Sequence, residues 1–232
     1  MPPFLSVVIP ALDEEARLPA AIRSVRGEAE VIVVDGGSRD ATRSVAAREG
    51  ARVLTAPRGR GLQLAAGARA ASGEWIVFLH ADTRLESGWA AAMAALSSDM
   101  VGGAFRFAID SPRPAFRVVE AAVLLRVRLF ALPYGDQGLF ARRDAYDRVG
   151  GIPELPLMED VAFMRRLRGA GRLAFPRPRA FTSPRRWERH GIVGTTLRNW
   201  RLIALYAAGR PPERLAGMYG GPEREERLPP AP

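Results

Sequence analysis

Four short apolar runs, at residues 5–9, 30–35, 52–55 and 75–79, alternate with helical segments at 18–25, near 40–49 and at 61–71. Strands separated by a helix rather than a tight turn pair in parallel, through right-handed crossovers. The alternation therefore predicts an α/β fold with a mostly parallel central sheet and helices on both faces. After Gly88 the pattern loosens. It reads as a helix at 89–96, one half-buried strand at 103–109, a long apolar helix at 114–132 and a short strand at 138–141. Helices at 159–168 and 192–208 then make a C-terminal helical segment. No repeat or linker divides the chain, so residues 1–221 read as a single domain. The proline-rich, charged stretch 222–232 reads as a disordered tail.

The fourth run, Trp75-Ile76-Val77-Phe78-Leu79, ends in His80-Ala81-Asp82. In extended backbone His80 and Asp82 would point to one side. Ligands of open α/β sheets bind outside the carboxyl ends of the strands, where an acid can hold a divalent cation against a phosphate. Asp35 ends the second run in the same relation to the sheet. It is placed either to accept a hydrogen bond from a base or ribose, or simply to cap the Gly36-Gly37 turn. Asp40 reads as a helix cap. The acids of Pro10-Ala11-Leu12-Asp13-Glu14-Glu15 are ordinary partners of a helix N-terminus. Gly59-Arg60-Gly61 before a helix can bring Arg60 and backbone N–H groups to a phosphate, although neither GxGxxG nor GxxxxGK[ST] is present. Glu159-Asp160 opens a helix after an apolar approach, a setting that suits a general base. Arg185-Arg186-Trp187-Glu188-Arg189-His190 offers either a clamp on a diphosphate or a solvated loop, and His190 reads as surface.

A formal charge of +9 suggests a polyanion partner. Every basic residue is arginine, however, and Asn199 is the sole asparagine, which points to a compositional bias of the genome. The arginines are scattered and no nucleic-acid module is present, so we expect no nucleic-acid partner. With no cysteine, thiol catalysis and zinc–thiolate sites are excluded. A strand starts within a few residues of Met1 without a charged leader, and no apolar run reaches the length of a membrane span. The expected location is cytoplasmic. Two helical stretches, 118–132 and 192–208, mix apolar residues with Arg126, Arg128, Arg198 and Arg201. They are either core helices with snorkelling arginines or helices lying peripherally on the inner membrane face.

Taken in order, these segments resemble glycosyltransferase family 2, with its GT-A nucleotide-sugar fold. Residues 6–15 match the family's first strand and donor-binding turn, and Val33-Val34-Asp35-Gly36-Gly37-Ser38-Arg39-Asp40 its second. The resemblance implies a nucleoside-diphosphate-sugar donor bound by Pro10, Ala11, Glu14, Asp35, Arg60, Gln63, His80, Ala81, Asp82, Arg185 and Arg186. It implies Mg2+ or Mn2+ held through Asp82, Asp160 as catalytic base, and an acceptor met by Asp136, Gln137, Glu159 and Trp187. The expected reaction is inverting glycosyl transfer to an acceptor hydroxyl, a lipid-linked one among the candidates. Residues 79–84, 132–138 and 185–188 look closer still to a subgroup of transferases associated with radical-SAM or selenium-related domains. Three positions depart from the family pattern. His80 replaces the first acid of the DxD motif, Asp13 stands for a usual asparagine, and Ala65 for a common one. The competing readings are a sugar nucleotidyltransferase and a non-catalytic nucleotide-sugar binder. The first is opposed by the acidic, glycine-free turn after the first strand.

Overall fold

A computed structural model describes residues 4–219; the tail expected at 222–232 lies outside the described residues. Strands β1 (Leu5–Ala11), β2 (Glu30–Asp35), β3 (Arg52–Thr55) and β4 (Trp75–Phe78) alternate with helices α1 (Leu18–Arg23), α2 (Thr42–Arg48) and α3 (Arg60–Ala70). They pair in parallel, in the spatial order β3-β2-β1-β4. The ends of β1 and β2 are level, with Ala11 opposite Asp35, so both open on the same carboxyl edge. Strand β1 is buried on both faces. Val7 and Ile9 join one apolar cluster with Leu18, Ile22 and Trp89, while Val8 joins the other with Leu64, Phe163 and Leu167. Helix α3 lies so close that a Cβ at Gly67 would stand 2.2 Å from Val8 Cγ1, which requires glycine there.

The sheet is extended beyond β4 by β8 (Leu139–Arg142), β6 (Met100–Ala104) and β9 (Arg172–Ala174), with β8 antiparallel to both neighbours and the rest in one direction. The stretch expected as one strand at 103–109 is two. The chain leaves the main sheet at Phe105, and β7 (Arg106–Ile109) joins a second, three-stranded sheet with β5 (Thr83–Leu85) and β10 (Arg179–Thr182). Phe105 is buried against Trp89 and Phe140, which anchors the switch between sheets. Strand β4 also ends earlier than expected. A turn closed by Thr83 N–H to the His80 carbonyl carries His80-Ala81-Asp82, so the two polar residues are not related by extended backbone.

Helices α4 (Trp89–Ala94), α6 (Arg143–Arg148) and α7 (Glu159–Ala170) cover the main sheet. The long α5 (Pro114–Phe130) packs beside β7. Residues 185–190 form not a loop but a short helix, α8 (Arg185–His190). Helices α9 (Ile192–Ala207) and α10 (Pro212–Tyr219) follow it.

Candidate active site

A cavity of about 130 Å3 lies at the carboxyl edge of the main sheet. It brings together Arg60, His80, Asp82, Asp136, Asp160, Arg185, Arg186 and Trp187 from segments far apart in sequence. Each is placed by the end of an element. Arg60 opens α3, Asp82 sits between β4 and β5, Asp160 is in the first turn of α7, and Arg185 begins α8.

Two of the site's arginines, Arg60 and Arg185, are paired with carboxylates. Arg185 bonds Glu14 through one guanidinium nitrogen and lies 3.3 Å from Asp82 Oδ2 through Nε. Arg60 pairs with the buried Glu159. The second carboxylate oxygens of Glu14 and Glu159 have no hydrogen-bond partner. Burial pushes the Glu14 carboxyl up, against the attraction of Arg185.

Asp160 faces the loop before β8. Its Oδ2 accepts the Gly135 N–H at 2.7 Å and its Oδ1 accepts the Val161 N–H at 2.8 Å. A Cβ at Gly135 would stand 2.9 Å from His80 Nε2 and 3.2 Å from Asp160 Oδ2, so glycine lets the three groups crowd together. Burial holds the His80 imidazole well below its ordinary 6.5, helped by the Arg60, Arg186 and Arg185 charges, so it is neutral at pH 7. Neighbouring Asp136 is half-buried, its Oδ1 enclosed and unpartnered among the described residues, and its carboxyl is pushed up to about 6, chiefly by burial and further by Asp160.

Other expected residues stand behind the cavity. Asp35 accepts the Gly37 and Ser38 N–H groups, so its carboxylate closes its own turn, with Arg43 Nε 3.9 Å away. The Gln63 amide donates to the Ala11 and Val34 carbonyls, tying the ends of β1 and β2. Gln137 fastens the Tyr134 and Phe105 backbone. Ala11 and Ala81 are core residues, Pro10 is half-buried, and Ala65 is buried in α3. Trp187 packs against Phe107 and Phe116 while lining the cavity.

Sequence reasoning did not single out Tyr134, Ser183, Asn199 or Tyr219, all of which line the cavity. Asn199 carried a signal: it is a lone amide flanked at helical spacing by Leu202 and Ile203, on one face of α9. Tyr134 carried none, since its place under the Arg126 guanidinium, 3.5 Å from the ring centroid, is a tertiary contact.

Among the described residues, no group of three or more His, Cys, Asp or Glu side chains forms a metal cage. That fits an ion held by one carboxylate together with substrate phosphates, the way Mg2+ is commonly bound. Asp82 is half-buried and opens on the cavity.

Residues 6–148 match the family model of glycosyl transferase family 2. The chain belongs to that family. A stretch of 85 residues is 39% identical to an uncharacterized glycosyltransferase of Mycobacterium tuberculosis (strain ATCC 25618 / H37Rv), covering 36% of this chain and 39% of that protein. The match thus spans well under half the length of that curated relative. Among solved structures, the chain is similar to glucosyl-3-phosphoglycerate synthase from M. tuberculosis in complex with Mn2+ and UDP-glucose. The TM-score is 0.57 at 22% identity, over 75% of this chain and 68% of that one. It is also similar to S. aureus TarS 1-349, with a TM-score of 0.59 at 17% identity over 79% of this chain and 61% of that one. At these identities the likeness establishes the shared GT-A fold.

Proposed function

We propose that this family 2 protein transfers a glycosyl group from a nucleoside-diphosphate sugar to an acceptor hydroxyl, with inversion and with a divalent metal. The observation that carries the reading is the convergence of Asp82, Asp160 and three arginines on one cavity at the carboxyl edge of the sheet. Arg185 and Arg186 would share the charge of the diphosphate leaving group through charge-assisted hydrogen bonds. For Arg185 that means exchanging its contact with Asp82 for one with the donor. Asp160, oriented by the Gly135 and Val161 N–H groups, would take the proton of the acceptor hydroxyl. The acceptor oxygen then attacks the anomeric carbon from the face opposite the diphosphate, and the bond from that carbon to the diphosphate oxygen breaks. Mg2+ or Mn2+ held through Asp82 supplies Lewis-acid neutralisation of the diphosphate. Neutral His80 is a hydrogen-bonding neighbour in this scheme and carries no charge to the donor.

The finer parts of the proposal are a catalytic unit spanning residues 1–221 as one domain, membership of the radical-SAM- or selenium-associated subgroup, and a cytoplasmic location. The GT-A neighbours in complex with Mn2+ or Mg2+ and UDP support the metal and the class of donor. A non-catalytic binder is the second reading, favoured by the pairing of Asp82 with Arg185.

The test is a panel of nucleotide sugars screened for thermal stabilisation with and without Mn2+, because a bound ligand raises stability by mass action. Release of nucleoside diphosphate is then followed with candidate acceptors. We expect one donor to stabilise the protein with metal, and Asp82→Ala to weaken that metal-assisted binding by about a hundredfold. Donor binding without release, across all acceptors tried, would favour the binder.

A further inference from the structure

Helices α5 and α9 each bury one face and leave the opposite one bare. On α5, Val118 is 72% exposed, Leu125 58% and Leu129 65%, and these positions recur at the spacing of a single helical stripe with exposed Ala122 between them. On α9 the same spacing recurs in Val193, Leu197, Trp200 and exposed Ala204. The start of α9 meets α5 through one apolar cluster, in which Phe116, Val119 and Val123 of α5 gather with Trp187 of α8 and Ile192. No helix of the described residues is long and apolar enough to cross a membrane.

The charges beside these stripes decide between partners. The exposed arginines of these helices are Arg128 and Arg117 on α5, the latter paired with Glu120, and Arg201 on α9; Arg126 and Arg198 are half-buried and lie over Tyr134 and Tyr219. A groove of about 550 Å3 opens along α5, lined by Arg106, Arg117, Arg128 and Arg179 among others. A second copy of this chain would bring arginines to face arginines. An anionic lipid surface would neutralise them while covering the apolar stripes.

We propose that the outer faces of α5 and α9 seat the protein on an anionic lipid bilayer. Helix α9 then has two roles, because its inner face, with Asn199, Leu202 and Ile203, lines the candidate active site. An acceptor carried by a lipid would reach the cavity along the same helix that touches the membrane. Only this last step rests on the proposed transfer activity; the docking itself stands without it.

Trp75, Trp89 and Trp187 are buried whereas Trp200 is 61% exposed, so the chain carries its own reporter. The full chain is floated, without donor, with phosphatidylcholine vesicles that either lack or contain phosphatidylglycerol. Quenching by brominated lipid is read in parallel. We expect binding about tenfold tighter to the anionic vesicles at low salt, lost as salt rises, with quenching of the exposed tryptophan. Leu125→Glu combined with Leu197→Glu, both at exposed positions, should reduce binding about tenfold while the melting temperature stays unchanged. Absence of binding to anionic vesicles at low salt would overturn the proposal, as would a double variant that binds as well as the parent. So would a concentration-dependent dimer that shields Trp200 from a soluble quencher without lipid. Because no donor is present, failure here leaves the transfer activity standing, and a protein that binds vesicles but transfers nothing leaves the docking standing.

Discussion

The cavity has two walls built in different ways. One is made of loops at the carboxyl edge of the main sheet and the first turn of α7, and carries His80, Asp82, Gly135, Asp136 and Asp160. Behind it lie Leu79 and Phe163, fully buried, and Phe78, which meets Phe163 edge-to-face and Tyr146 at a tilt. The other wall is made of α8, α9 and α10. Helix α9 buries only Thr195 and Leu202, and its cluster closes on Leu157, Met158, Val161 and Leu215. Groups that must be held to within a fraction of an ångström for chemistry stand on the dense wall. Arg185 and Arg186, proposed for the diphosphate, stand with Asn199 on the shallow one, where local opening costs least.

Substitutions on the dense wall should therefore change turnover, and those on the shallow wall binding. The largest effect is expected for Asp160→Asn. Turnover should fall by about a hundred- to ten-thousandfold, with donor affinity by calorimetry within about threefold of the parent. Unchanged turnover would remove Asp160 as the base and with it the division of labour.

Next comes Asp136→Asn. The Asp136 carboxyl titrates at about 6 in the folded protein, above its ordinary 3.8. Folding thus takes up a proton between those two values, and the buried group costs stability increasingly as pH rises through 6. The variant should be more stable than the parent at pH 8, by about 3 kcal/mol at most, and unchanged below about pH 4. Denaturant unfolding at the two pH values checks this, and equal effects at both would mean that no charge is being buried at Asp136.

The smallest effect belongs to the helical wall. Asn199 lines the cavity, and we propose that its amide bonds the acceptor; Asn199→Ala would lose a hydrogen bond worth about 1 kcal/mol, so acceptor KM should rise about fivefold at constant kcat. A fall in kcat comparable to that of Asp160→Asn would break the comparison.

The same division separates what could be read along the chain. Strands β1, β2 and β4 are apolar runs buried on both faces and their signal is local, while the half-exposed edge strand β3 follows from the strand–helix alternation they set, so the observed bounds fall within a few residues of those expected. Strands β5, β9 and β10 are only three or four residues long and each contains arginine. Partners distant in sequence hold them, and no periodicity within so few residues announces a strand. The break at Phe105 was hidden for a related reason. Residues 103–109 alternate as one strand should, and only the packing of Phe105 on Trp89 and Phe140 sends the two halves into different sheets.

For the site, residue types at element ends singled out Arg60, His80, Asp82, Asp160, Arg185, Arg186 and Trp187, the family resemblance added Asp136, and all eight line one cavity. Charge and polarity at strand ends and helix starts are properties of short segments, and such ends gather on one edge of a parallel sheet whatever the loops do. Which carboxylate lies against which arginine was not legible. Asp35 turns onto its own Gly37 and Ser38 N–H groups, Arg185 reaches across to Glu14 and Asp82, and Asp136 is half-buried near the charge of Asp160. Sequence alone determined the α/β alternation and the chemistry available at its edge. Tertiary structure decided the pairing and protonation of those groups and the bare faces of α5 and α9, because desolvation and Coulomb energies depend on distances between segments that no local pattern encodes.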